Sequence, residues 1–556
     1  MSASRASVAA LLVALAGGAG AQTDQVPRPS EHRLEAPAYA PAEPPPIRLP
    51  APPAAPPGAI SGLLRLELRG VRFTGNTAID TATLEAVAAP YVGRVVTNAE
   101  LQQLRTALTR LYIERGYVNS GVIIPDQTLE QGIVEFRVIE GVLADIAVSG
   151  VERLPASYVR DRLALGAGPP LEVSALRDRI QLLLRGPFVR QVDATLAPGE
   201  RPGEARLHAE VVERSPFGGG LVVDNDLSPS VGSVQASGFA TWYSPGGLGD
   251  LLALEDVTVA EGLKQGRLSY TVPLGPRDTT LRLHYDRSLT DVVEDPFDRL
   301  DIVSRSTTVG VRLAHPLLLT PRRQLVASVA VERRASKTFL LGMPFSFTPG
   351  PKDGRSQVTV LRLAQEYVDR EPDQVLAARS TLSIGLDALG ATRNSAGADG
   401  RFLAWLGQLQ WVRRLRGQHE VVARADVQLA ADRLLPLEKY AVGGAGTVRG
   451  YRTNQLVRDW GYSVSVEYRV PILRGELGDI PLRAAAFLDV GVARDRDVPA
   501  PGPDTLAAVG LGLLWNPSPS VDGALYWGHA LRDVPVAGER DLQDNGFHFA
   551  LRARFD

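Results

Sequence analysis

The sequence predicts an all-β transmembrane barrel of about 16 antiparallel strands, preceded by two small α+β modules in the periplasm. Three observations predict it. Side chains alternate with a period of two from Phe217 to Phe555, a β-α-α-β-β pattern occurs twice between Leu64 and Arg214, and an export signal opens the chain.

The signal is read in residues 1–21. Arg5 supplies a weak positive charge, Val8 to Ala16 a short apolar core, and Ala19-Gly20-Ala21 the small-residue cleavage pattern. Beyond it no apolar run approaches the ~20 residues a membrane helix needs, so the expected product is exported without a helical anchor. Residues 22–62 are dominated by proline, as in Pro44-Pro45-Pro46. Proline fixes φ and removes a donor, so this stretch reads as an extended linker unable to build a ladder or a helix interior.

From Leu64 the texture changes. Leu64, Leu66 and Leu68 alternate with charged residues as a strand, Asn76-Thr77 turns the chain, and helical patterns follow at Thr83–Ala89 and Asn98–Gly116. In the second helix Thr97 or Asn98 can cap, while Leu101, Leu104, Leu108 and Leu111 share a face. Strands are expected at Val118–Ile124 and Gly132–Ile139. The order then recurs: strand Ile146–Val148, helices Pro155–Leu163 and Val173–Leu184, strands Phe188–Leu196 and Ala205–Val212. The join from strand to first helix recurs too, Val71-Arg72-Phe73-Thr74-Gly75-Asn76 being answered by Ile146-Ala147-Val148-Ser149-Gly150-Val151. One module repeated, over 63–141 and 142–214, is the economical reading.

From 215 to 556 the period is two. Leu281, Leu283 and Tyr285 alternate with Arg282, His284 and Asp286, and Phe547, Phe549, Leu551, Ala553 and Phe555 alternate with His548, Ala550, Arg552 and Arg554. One apolar and one polar face suit a wall between lipid and water. About sixteen such segments fit, near the ~9–11 residues of a tilted spanning strand. Short turns such as Ser244–Gly247 and Arg414–Gly417 are interleaved with long polar loops near 290–305, 336–355, 387–401 and 432–459. A soluble sandwich or propeller shares the alternation but would need a second set of apolar positions for its sheet-to-sheet core.

Charge is balanced, Lys+Arg 60 against Asp+Glu 62, and no long run of one sign occurs, which argues against nucleic acid. With no cysteine, disulfides, thiolate metal sites and Cys nucleophiles are excluded together. No nucleophile elbow, zinc-binding His-Glu-x-x-His pair or phosphate loop occurs, so neither enzyme activity, catalytic residues, metal nor cofactor is expected. The seven histidines are scattered, and His315 and His529 read as polar residues facing the lumen.

One loop stands apart. Between candidate strands eleven and twelve, Val442-Gly443-Gly444-Ala445-Gly446-Thr447-Val448-Arg449-Gly450-Tyr451 carries four glycines, which permit left-handed backbone and close approach to a wall. Farther on, Phe487-Leu488-Asp489-Val490-Gly491 places Asp489 opposite Leu488 and Val490, hence toward the lumen. Glu467 and Arg469 share the face opposite Val466 and Tyr468. A guanidinium folded inward could fork onto such a carboxylate.

These two motifs, two β-α-α-β-β modules and a C-terminal barrel together resemble the two-partner secretion transporters (TpsB type, ShlB/FhaC/HecB-like) of the outer-membrane insertase and translocator superfamily. Asp224-Asn225, Gly247-Leu248-Gly249-Asp250, Val272-Pro273-Leu274-Gly275 and Glu467-Tyr468-Arg469-Val470-Pro471 add to the likeness, which runs from Leu64 onward. The resemblance implies that the modules are POTRA domains recognising a secreted exoprotein, such as an adhesin or cytolysin, and that the barrel is its conduit in the bacterial outer membrane. It implies that Val448, Arg449, Gly450 and Tyr451 form a latch on a gating loop, with Phe487, Asp489, Gly491 and Glu467 as lumen partners. It implies Phe555 as the barrel assembly signal, read by assembly machinery after delivery by periplasmic chaperones. The family often carries an N-terminal helix that plugs the pore, for which the prolines of 23–60 leave little room. An insertase of the same superfamily, or a passive porin, are the alternative functions.

Overall fold

The computed structural model describes residues 34, 37, 39, 47–49, 65–128, 131–348, 351–395, 397–473, 481–497, 502–535 and 540–555. The expected signal and most of the linker lie outside them. The chain divides into two compact units, one holding the modules and the other the barrel.

In the first module, helix Asn98–Glu114 begins with a capping box: the Thr97 side chain accepts from the Glu100 N–H, and the Glu100 carboxylate accepts from the Thr97 N–H. Leu101, Leu104, Leu108 and Tyr112 are buried at helical spacing, Tyr112 taking the place expected of Leu111. They meet Val122, Val134, Phe136 and Val138 of the sheet in one core, each buried large side chain contributing about 1.5–3 kcal/mol.

The sheet differs from the expected one. Its strands are Gly70–Thr74, Ile133–Ile139 and Gly121–Ile123, while Arg65–Leu68 pairs separately with Arg94–Thr97. Leu66 and Leu68 of the expected strand thus lie in Arg65–Leu68, with Leu68 fully buried, and the module's sheet begins only at Gly70. Strand Gly121–Ile123 is also shorter than the expected 118–124.

The second module pairs Val142–Ser149, Glu204–Glu213 and Val189–Pro198 in one sheet, and helix Val173–Arg185 buries Val173, Leu176, Ile180 and Leu183. Ile47–Arg48 adds to it, in parallel register with Ala194 and Thr195. This corrects the expectation that the proline-rich stretch builds no ladder, because both residues lie between prolines and keep their donors.

The repeat holds at the level of single atoms. Gly75 and Gly150 have φ of 79° and 78°, and a Cβ there would lie 2.4 Å from the Val138 carbonyl oxygen and 2.3 Å from that of Val211. Two residues beyond those valines, Glu140 accepts from the Thr77 and Ala78 N–H groups and Glu213 from those of Glu152, Arg153 and Leu154. In both modules a carboxylate satisfies the orphan donors ahead of the first helix.

From Phe217 the chain forms a closed antiparallel barrel, sixteen strands long apart from the two-residue arm Met343–Pro344. Closure is made by Gly219–Asp224 against Ala550–Phe555. Leu283, Tyr285, Val309, Val311, Leu313, Leu488 and Leu551 lie 44–49 % exposed on the outside, an apolar band that lipid covers at no cost. Inside, Arg282 reaches Glu255 at 2.6 Å and Arg312 reaches Glu366 at 2.6 Å. His315 and His529 are exceptions to expectation. They share strand parity with outward-facing Leu313 and Trp527, so they lie on the outer face; His315 bonds Thr279. A polar side chain at a strand end can reach the interface instead of the lumen.

Candidate functional site: the sixth loop and the lumen wall

The eleventh barrel strand, Glu420–Ala430, and the twelfth, Trp460–Leu473, are joined by residues 431–459, which turn into the lumen instead of extending from the rim. Two features of the sequence drive this. Tyr440, Val442, Val448, Tyr451 and Leu456 are apolar and pack on Leu406, Ala493, Leu506 and Ala508 of the inner wall, removing from water about 25 cal/mol per Å² of apolar area. The glycines then allow contact. Gly450, at φ 89°, lies so close to the barrel that a Cβ would be 2.8 Å from the Gly528 carbonyl oxygen, and Gly491 leaves room where a Cβ would be 2.4 Å from Val442 and 2.8 Å from Val448.

Arg449 is thereby delivered to Asp489. Its Nε donates to Asp489 Oδ2 at 2.8 Å and a terminal nitrogen to Oδ1 at 2.9 Å, a bidentate fork. Its backbone N–H donates to Oδ2 at 3.0 Å, its other terminal nitrogen pairs with Glu467, and Ser465 accepts at 3.1 Å. The guanidinium carbon is 3.6 Å from the Phe487 ring centroid and 4.7 Å from that of Tyr526, so the cation lies between two aromatic faces. Arg449, Glu467 and Asp489 are 3 %, 1 % and 0 % exposed. At that burial, removing one partner leaves an uncompensated charge, at a cost of about 3–5 kcal/mol.

The structure brings together all of Arg449, Glu467, Phe487, Asp489 and Gly491. Val448 and Tyr451 flank the cation: Val448 is fully buried, and the Tyr451 hydroxyl accepts from the Arg532 N–H at 3.2 Å while lying 2.9 Å from the Ala507 carbonyl oxygen. Phe555 stands apart, 59 % exposed on the outer face at the closing strand pair.

Sequence reasoning missed several partners. Tyr526 donates to Glu467 at 3.1 Å, the Gly450 N–H donates to His548 Nε2 at 3.1 Å, and Arg452 forks onto Asp544 at 2.6 and 2.7 Å while reaching Glu294 at 2.5 Å. Tyr526 and His548 have the strand parity of the lumen face, which was legible; that they meet this loop depends on barrel closure.

Below the loop, a cavity of about 220 Å³ is lined by Arg424, Asp426, Arg449, Tyr526, His548 and Arg552, with Leu34 of the N-terminal stretch. Tyr39 of that stretch stacks on Arg414 at 4.2 Å and approaches Glu420 at 3.5 Å. Among the described residues no cluster of three or more His, Asp or Glu could hold a metal ion. The arrangement offers a charged, polar interior partly filled by an anchored loop, a layout suited to conduction and its control.

Comparison with known proteins agrees with this architecture. The profile of the family described as haemolysin secretion/activation protein ShlB/FhaC/HecB matches residues 203–514, and that of the POTRA domain, ShlB-type, matches residues 66–141. The outer membrane transporter CdiB of Dickeya dadantii (strain 3937) is 27 % identical over 172 residues, 31 % of this chain and 30 % of that protein. CdiB of Escherichia coli O6:K15:H31 is 23 % identical over 445 residues, 77 % of this chain and 72 % of its own. The solved structure of CdiB from Escherichia coli superposes with a TM-score of 0.65 at 20 % identity, covering 91 % of this chain and 93 % of that one.

Proposed function

This chain belongs to the haemolysin secretion/activation family ShlB/FhaC/HecB and is an outer-membrane protein, and we propose that it secretes an exoprotein, taken up unfolded in the periplasm by its modules and passed outward through the barrel. The observation that carries the reading is the pairing of a closed, charge-lined barrel with a loop folded inside it and latched by Arg449. A passive porin has no use for two periplasmic modules.

An unfolded substrate carries unsatisfied backbone groups, and a sheet edge can pair with them. Gly70–Thr74 and Gly121–Ile123 are the edges of the first module's sheet, and Val142–Ser149 one edge of the second's. The opposite edge, Val189–Pro198, already accepts an extended segment of the chain itself at Ile47–Arg48, an example of such pairing. Within the barrel, Arg, Asp and Glu side chains and water solvate an extended backbone that lipid could not. Direction comes from folding outside the cell, and no catalytic step is involved. Arg449 acts as the latch of the loop, with Asp489 and Glu467 as its seat.

Deleting residues 64–214 should abolish secretion of the cognate exoprotein while the barrel still inserts, and a soluble 23–214 fragment should bind that exoprotein's N-terminal region. Intact secretion by the deletion strain would overturn the assignment.

A further inference from the structure

Arg449 anchors only the tip of the inward loop. Its descending limb is held elsewhere, on the wall formed by the seventh strand, Arg323–Leu340, and the eighth, Arg355–Arg370. Leu434, Leu435 and Leu437 are at most 1 % exposed and pack on Val358, Val360, Phe402 and Ala404. Val358 and Val360 have the strand parity of Arg362 and Glu366, so this is an apolar patch on an otherwise polar inner face. Beside it lies Glu438, 2 % exposed. Its Oε1 accepts from Arg334 and from Arg362, both at 2.9 Å, and its Oε2 accepts from Arg362 at 3.1 Å. Arg334 also donates to the Leu437 carbonyl at 2.8 Å. Arg362 is held in turn by Glu332 at 2.9 Å and Ser383 at 2.7 Å. Two cations and two carboxylates make the cluster neutral, the condition under which buried charge is tolerable.

We propose that Glu438 is a second latch of this loop, with the polarity of the first reversed: a loop carboxylate seated between two wall arginines, where the tip offers a loop arginine seated between two wall carboxylates. The two seats share no residue and lie on different sectors of the wall, strands seven and eight against twelve and thirteen (Leu482–Arg494). Parting the tip alone therefore leaves Leu434–Glu438 on the wall, and the lumen does not clear until this hold parts as well. Glu438 is a positioning residue: it sets where the loop rests and touches no substrate. The latch is read from conductance without any exoprotein, so it can stand or fall separately from the secretion reading, on which only its purpose depends.

The test is single-channel recording of the full-length protein in planar lipid bilayers, with SDS-gel heat-modifiability confirming a folded barrel. Glu438→Gln should raise open probability at least ~10-fold, and combined with Arg449→Ala the two fold-changes should multiply, as independent latches require. Glu438→Gln keeps the size of the side chain and removes only its charge, so a residue needed only for packing would leave the openings unchanged. If Glu438→Gln does not assemble, Glu438→Asp is read by the same criterion. Wild-type gating in the assembled variant, or a double variant no more open than Arg449→Ala, would overturn the proposal.

Discussion

Arg449 shows how much one side chain can depend on its surroundings. Lysine would keep the charge but lose the fork onto Asp489, the bond to Ser465 and most of the contact with Phe487 and Tyr526, since an ammonium is a point charge without a planar face. Arg449→Ala is expected to reduce secretion of the exoprotein strongly and Arg449→Lys nearly as much, while both variants still reach the membrane as heat-modifiable barrels. Secretion assays beside gels of membrane fractions make the comparison. Normal secretion by Arg449→Ala would remove the latch role from the pair. The fork itself was legible in part, because strand parity puts Asp489 inside; parity puts Tyr526 and His548 inside too, but nothing local marks them as partners of this loop.

Among the elements, the clearest device is the carboxylate that closes each module's first-helix entry. For Glu140, burial pushes the pKa up, but the donors of Ala78, Thr77 and Tyr112 outweigh it and hold the carboxyl below its ordinary value. A depressed folded-state pKa stabilises the fold above the unfolded carboxylate value of about 4.3, and that contribution is lost as pH falls through the lower folded value. Glu140→Gln in the soluble module pair should therefore cost about 1–2 kcal/mol at pH 7, allowing for solvent screening of a partly exposed group. The difference from wild type should shrink below about pH 4. Urea unfolding at pH 7 and pH 3 measures both, and an equal cost at the two values would contradict the role. Glu100, held down to about 2 chiefly by the Thr97 N–H and then by Arg94, is the same logic at a helix cap. Gly75 and Gly150 announce the repeat in the sequence, but the extra pair Arg65–Leu68 with Arg94–Thr97 does not, since four residues of alternation look alike in either sheet.

For the whole molecule, the barrel's last strand closes on its first through Phe555 opposite Gly219, where a Cβ would lie 2.6 Å from the Phe555 ring. With more than half its surface outside, that ring adds little packing within the folded protein. Phe555→Ala is expected to lower the amount of barrel assembled in cells several-fold, roughly what a lost recognition contact of ~1–2 kcal/mol gives. The thermal midpoint of the assembled fraction should change by no more than a few degrees. Pulse-chase of the heat-modifiable form tests it, and unchanged assembly would remove Phe555 from that role.

The period of two, the helical spacing of Leu101, Leu104 and Leu108, and the glycine-rich stretch around Arg449 are local patterns, and from them the sequence alone determined the succession of two modules and a barrel of about 16 strands and, His315 and His529 apart, the apolar face that its strands turn to lipid. Local pattern could not say which strands become neighbours across the lumen. Closure decided that, placing Glu438 between Arg334 and Arg362, residues 104 and 76 positions away, and setting Tyr526 and His548 under the loop. The physical reason is that a strand's alternation records only inside and outside, whereas the partner of an inward charge is fixed by shear, register and the path of a loop.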